Sequence, residues 1–282
     1  MASLEVLGVP VPGELLEKWG GWLAPAVQPF VVPSDDELLN DRGQPLSREL
    51  LDTYELYGGK GTHLAWLTEA EFAALPPRTR SDLVRAQVAR GRSAVPTVRR
   101  WGSVVGLRAR DQADGHRFVW WPSLLAPHVA TVLAEFVDNG RRSSQHRSVT
   151  GPTWAAARRL LPRAEELAGT FPPESGPNCF GAVMAATGEV GAEQEWRQRE
   201  PFEAWLSERT VAGGDVNAPG TVLVWRSPVG EVDHAAVTLG DGWALHKPSQ
   251  GWMSPTKVLS VDDVIRSSRC WGRRLSRRHL VG

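Results

Sequence analysis

The chain has 282 residues, with 32 basic and 32 acidic side chains and 41% hydrophobic residues. That composition belongs to a folded globular protein, and the even charge balance creates no global field toward nucleic acid or a membrane surface. Two cysteines, Cys179 and Cys270, are too few for a disulfide framework.

No apolar run approaches the roughly 18 residues needed to cross a bilayer. The N-terminal segment MASLEVLGVPVPGELLEKWG lacks a basic start, an unbroken apolar core and a small-residue cleavage site. The expectation is a soluble cytoplasmic protein with reduced thiols.

Prolines at 10, 12, 25, 29 and 33 limit the first sixty residues to short elements. Gly58-Gly59-Lys60-Gly61-Thr62 is glycine-rich but lacks the Gly-Lys-Ser/Thr order of a phosphate loop, and reads as a turn. Thr68 and Glu71 form a capping-box pattern ahead of a short helix that Pro76-Pro77 interrupts. Ser81–Arg90 reads as a helix with Leu83, Val84 and Val88 inward and Gly91 as its stop.

Val98–Arg108 and His116–Trp121 read as two strands joined through Asp111–Gly115. Leu124–Val137 reads as an amphipathic helix ended by Asn139-Gly140. The basic stretch 141–150 reads as a surface loop or domain boundary. The expected division is therefore an N-terminal region, 1–150, mostly helical with a hairpin and of no assigned role, and a C-terminal domain, 151–282.

In the second part, Thr153–Ala168 reads as a helix, and a proline-rich connection then leads to Asn178-Cys179. Cys179–Thr187 reads as a short helix with Asn178 as N-cap and Gly188 as its end. β-like runs follow at 221–226, 234–239, 243–247 and 257–261. The order implies an α+β fold, a helix followed by an antiparallel sheet.

A thiol in the first turn of a helix meets unpaired amide groups and the positive end of the helix dipole, which lower a thiol's pKa. His234 opens a strand-like run from which an imidazole could reach that sulfur. Such a pair is what nucleophilic acyl chemistry requires. The turn Gly240-Asp241-Gly242 folds Trp243–Lys247 back alongside, making His246 the candidate to orient His234. Taken singly, the cysteine also fits a small buried hydrophobe, and either histidine a satisfied polar group.

Three segments carry a resemblance. Gly176-Pro-Asn-Cys179-Phe-Gly-Ala-Val183, Pro219-Gly-Thr-Val-Leu-Val-Trp225 and His234-Ala-Ala-Val-Thr-Leu-Gly-Asp-Gly-Trp-Ala-Leu-His246 resemble the Cys-box, sheet-entry strand and His-box of the NlpC-type papain-like cysteine peptidases. Gly272–Leu275 is similar to the closing strand of that family. The resemblance covers about residues 170–282, and Asn178 stands where the family usually has Asp.

It implies a papain-like fold with Cys179 as nucleophile, His234 as general base and acid, and His246 as the orienting residue. The function implied is a thiol-dependent hydrolase acting on a peptide or amide substrate through a thioester. The alternatives are an acyltransferase or transamidase using the same site, or a non-catalytic binding module. Asn178, Trp225, Trp243 and Trp252 are candidate substrate-binding residues.

The remaining histidines show no zinc-like spacing, so neither metal nor other cofactor is expected. No nucleic-acid or membrane partner is expected either. Cys270 is expected to be structural, and the arginine pairs at 273–274 and 277–278 to be solvated charges on an edge strand.

Overall fold

The computed structural model describes residues 4–32, 47–56, 63–92, 94–106 and 114–281. The architecture is mixed α+β, and the chain divides into two compact units: residues 1–4 with 12–136, and residues 5–11 with 137–282. The chain opens on a hairpin, β1 (Leu4–Val6) and β2 (Val9–Val11), turned by Leu7 and Gly8, both at positive φ.

The first unit contains α1 (Gly13–Leu23), β3 (Val27–Val32), α2 (Arg48–Tyr54), β4 (His63–Thr68), α3 (Glu69–Ala74), α4 (Pro77–Ala89), α5 (Val98–Val105) and α6 (Pro122–Leu125); α7 (Val129–Asp138) runs across the division. β3 and β4 pair antiparallel. The Thr68 capping box forms: Thr68 Oγ1 accepts from Glu71 N at 3.2 Å, and Glu71 Oε2 accepts from Thr68 N at 2.7 Å.

α4 starts four residues before the expected Ser81, because proline fits the first helical position, where no N–H is needed. Its buried face carries Gln87 rather than Val88, which is exposed. Gln87 donates to Val31 O and accepts from Val31 N, both at 2.9 Å, satisfying strand β3.

The expected strand from Val98 is instead helix α5. Thr97 caps it, and Trp101 and Val105, four residues apart, are buried along one face. That helical spacing overrides the β-propensity of its valines. His116–Trp121 is not a strand either; Arg117 makes an isolated bridge with Thr97. Residues 57–62, 107–113 and 33–46 lie outside the described residues, and with them the glycine-rich 58–62 segment and most of the expected hairpin turn.

The division after residue 136 falls earlier than the expected 150. The basic stretch 141–150 belongs to the second unit, where Gln145 N donates to Val258 O at 2.8 Å and Val258 N donates to Ser144 Oγ at 3.2 Å. The expected single helix 153–168 is two, α8 (Gly151–Ala157) and α9 (Ala164–Leu167). Pro162 between them has no N–H to donate and its ring opposes a continuing helix.

Then come α10 (Cys179–Ala186), α11 (Arg199–Arg209), β5 (Thr210–Ala212), β6 (Pro219–Arg226), β7 (Val232–Gly240), β8 (Trp243–His246), β9 (Lys257–Ser260), α12 (Val261–Ser267) and β10 (Arg274–Leu280). The strands form one antiparallel sheet in the order β5-β10-β6-β7-β8-β9.

Strand alternation divides its apolar residues between two faces. Val222, Val224, Ala235, Val237, Leu245 and Val258 join α8–α11 in the larger core. Leu223, Trp225, Ala236, Ala244 and Leu259 pack with Val261 and Val264 of α12. Among the described residues no helix is long and apolar enough to cross a membrane.

Candidate functional site

Helix α10 begins at Cys179 because Asn178 caps it. Asn178 Oδ1 accepts from Gly181 N at 3.1 Å, and its Nδ2 donates to Arg197 O at 2.7 Å. Both ends of this amide are thus engaged by the chain itself, so Asn178 positions the helix rather than offering groups to a substrate. Gly181 lets the same turn press against the carbonyl of Ala192: a Cβ there would overlap that oxygen. Gly188, at φ +102°, closes the other end.

The histidines come from adjacent strands. Asp241 and Gly242, both at positive φ, make the expected tight turn between β7 and β8. The register sets His246 opposite Ala236, and His234 opposite Trp225 on β6. His234 and His246 are therefore diagonal neighbours on one face. Their rings meet edge to face with centroids 5.1 Å apart, and the Trp225 ring lies 5.2 Å from that of His234. His234 is 7% exposed and His246 3%.

Two ring nitrogens of this pair, Nε2 of His234 and Nδ1 of His246, are buried without a hydrogen-bond partner. Most buried polar atoms are hydrogen-bonded, so a buried pair without partners calls for a reason, and a catalytic role is one. Burial pushes the His234 pKa down to about 4, with the Arg273 guanidinium adding to the effect. Burial also drives His246 well below the ordinary range, helped by His234, Lys257 and Lys247. Both imidazoles rest neutral at pH 7.

Cys179 is a free thiol, 8% exposed, in the core on the Ala235 side of the sheet. Among the described residues no hydrogen bond joins its sulfur to either imidazole. Its pKa moves opposite to the expectation from the helix start: burial pushes it up to about 11. The backbone N–H groups of Ala235, Phe180 and Cys179 itself, and then the charge of Lys247, pull it back only in part. Ala235 directly follows His234, so the sulfur lies beside the β7 backbone at the histidine position. The resting pair is neutral thiol and neutral imidazole.

Comparison of the chain with protein-family models, curated proteins and solved structures finds no match.

The three tryptophans do not form one lining. Trp225 is buried against His234, and Trp252 is buried with its backbone N–H donating to Ser175 Oγ at 3.2 Å. Trp243 stands at the far end of β8 from His246, packed on the α10-side core.

Cys270 is an exposed free thiol rather than a packed structural residue. The C-terminal arginines are not on an edge: β10 lies between β5 and β6, Arg278 donates to Thr210 O at 3.0 Å, and Arg273 pairs with Asp233 at 3.2 Å.

The residue missed from sequence is Lys247, which directly follows His246. It is 3% exposed, and burial lowers its pKa to about 7, with Cys179 acting in the opposite sense. A lysine two residues after the core residue Leu245 was the available signal, since strand alternation carries both to the same side.

Proposed function

We propose that the second unit is a thiol-dependent hydrolase of amide or peptide bonds, with Cys179 as nucleophile, His234 as general base and acid, and His246 orienting His234. The observation that carries this reading is the pair of adjacent buried imidazoles on β7 and β8, each with an unpartnered nitrogen, beside the point where the β7 backbone meets the Cys179 sulfur. Strand alternation leaves Cys179 on the Ala235 face of β7 and the two imidazoles on the Ala236 face, so the role requires the His234 ring to turn toward the sulfur when substrate binds.

In the first step sulfur bonds to the carbonyl carbon while its proton passes to His234. The backbone N–H of Cys179, at the helix start, faces the developing oxyanion. The C–N bond then breaks, the proton moves from His234 to the departing amine, and a thioester remains. Water adds to the thioester with His234 taking its proton, which releases the acid and restores the thiol. A nearly buried sulfur favours a second outcome as well, in which a bound amine rather than water receives the acyl group.

The test uses p-nitroanilides of amino acids and short peptides, with and without hydroxylamine as an acyl trap. Release of p-nitroaniline together with hydroxamate formation is expected. Cys179→Ala should abolish both, and His234→Ala should lower the rate by about 10²–10⁴-fold. Turnover that survives in Cys179→Ala overturns the reading.

A further inference from the structure

The turn after α8, the end of α10 and the end of α11 enclose a cleft of about 360 Å³ in the second unit, a volume within the range of small-ligand pockets. Its wall carries Arg159, Thr187, Gly188, Glu189 and Arg209, and is more polar than apolar. It lies at the opposite end of α10 from Cys179, about 12 Å along an eight-residue helix.

Arg159 and Arg209 are exposed, and among the described residues neither guanidinium has a carboxylate or hydrogen-bond partner. Their neighbours differ. Arg158 pairs with Glu165 at 2.6 Å, and Arg163 with Glu166 and Glu193 at 2.8 and 2.9 Å. The carboxylate on the cleft wall, Glu189, is held by Arg197 at 3.1 Å.

Carbonyls at a helix C-terminus attract positive charge, but here the backbone and a hydroxyl already satisfy them. Thr187 Oγ1 and Glu189 N both donate to Met184 O, at 2.7 and 3.2 Å, and Gly188 N donates to Ala185 O at 2.9 Å. Arg209 O accepts from Val281 N at 2.9 Å. Two guanidiniums on one cleft are thus left without a counterpart in the chain.

We propose that this cleft binds a small polar molecule through an oxyanion group, phosphoryl or carboxylate, held by Arg159 and Arg209. A guanidinium presents its N–H donors in a planar fork that matches either group. The polar wall suits a small anion rather than an acyl chain. The site stands apart from Cys179, so it holds or fails independently of the proposed hydrolase.

Calorimetric titration of the full chain at low ionic strength tests this with two probes, pyrophosphate for the phosphoryl group and citrate for the carboxylate. At least one should bind at one site per chain and weaken as salt rises, and the probe that binds identifies the group. Arg159→Gln and Arg209→Gln should each weaken binding about tenfold or more. Arg158→Gln removes the same charge one residue away, from a guanidinium already paired, and should leave binding unchanged. The proposal is overturned if neither probe binds, if either cleft variant binds as wild type does, or if Arg158→Gln weakens binding equally. Saturating probe should also shift the Gly188 amide resonance in a ¹⁵N spectrum. An unmoved resonance places the anion elsewhere and overturns the proposal as well.

Discussion

His246 stands opposite Ala236 in the β7–β8 ladder, yet its ring meets the ring of His234, two residues along β7, edge to face. The diagonal works because Ala236, between them on the same face, is small. An orienting group at that position must hydrogen-bond the imidazole without adding charge beside it. His246→Asn should therefore keep turnover within about tenfold of wild type, whereas His246→Leu should lose about 10²-fold or more. The kcat/KM on a chromogenic amide, measured against an unchanged melting profile, checks this. Ala236→Leu should separate the rings and match the His246→Leu loss.

Acid should destabilise the second unit well above the range in which carboxylates titrate. His234 has an ordinary pKa of 6.5 when unfolded and about 4 when folded. Between those values the unfolded chain binds a proton that the folded one refuses, so stability is full above pH 6.5 and falls as pH drops toward 4. At about 1.36 kcal/mol per unit, the loss from His234 alone is about 3 kcal/mol. His246 is shifted in the same direction and adds to it. Urea midpoints at pH 7.5, 6 and 5 should decline, and the slope should flatten in His234→Gln. A midpoint constant to pH 5 contradicts the buried neutral pair.

Most of the site's backbone was legible in the sequence, because local chemistry decides it. Asn178 before Cys179, Gly188 after the helix, and Asp241-Gly242 between two apolar runs each have one conformation that suits them. The positions of His234 and His246 followed from that turn.

The errors arose where a distant contact decides. The valines at 98, 104 and 105 look strand-like until Trp101 and Val105 are seen to bury one helical face. The expected helix 153–168 runs straight across Pro162, where the structure breaks it in two. Lys247 and the ionisation of Cys179 were illegible for a related reason. Both depend on how much water the packed sheet excludes, which no local pattern encodes.

Iodoacetamide should discriminate between the two thiols in favour of the exposed one at neutral pH. Cys270 is exposed, whereas Cys179 is buried with its pKa pushed up to about 11. Only the thiolate reacts, so the Cys179 rate should rise about tenfold per pH unit from 7 to 10. At pH 6 Cys179 should be essentially inert on the timescale that modifies Cys270. Site-resolved peptide mass spectrometry measures both. Fast modification of Cys179 at pH 6 would show that the thiol is already ionised beside a cation.

Gly181 and Asn178 together fix where the thiol sits, and their variants should separate stability from ionisation. Gly181→Ala forces a methyl into the Ala192 carbonyl oxygen, a backbone atom that cannot swing aside. Overpacking of that kind costs about 1–3 kcal/mol. Asn178→Ala removes the cap to Gly181 N and leaves Arg197 O without its donor, at about 1 kcal/mol for the cap alone.

Asn178→Asp is the sharper variant. A carboxylate can still cap Gly181 N, but it faces the Arg197 carbonyl oxygen with no N–H to give, at a position 7% exposed. It should be less stable than Asn178→Ala at pH 7 and regain stability as pH falls and the carboxyl protonates, opposite to the His234 trend. Its charge beside the sulfur should also shift Cys179 alkylation to higher pH. Denaturation of the two variants at pH 5 and pH 7 decides it: the same ranking at both values would mean that Asn178 contributes only its cap.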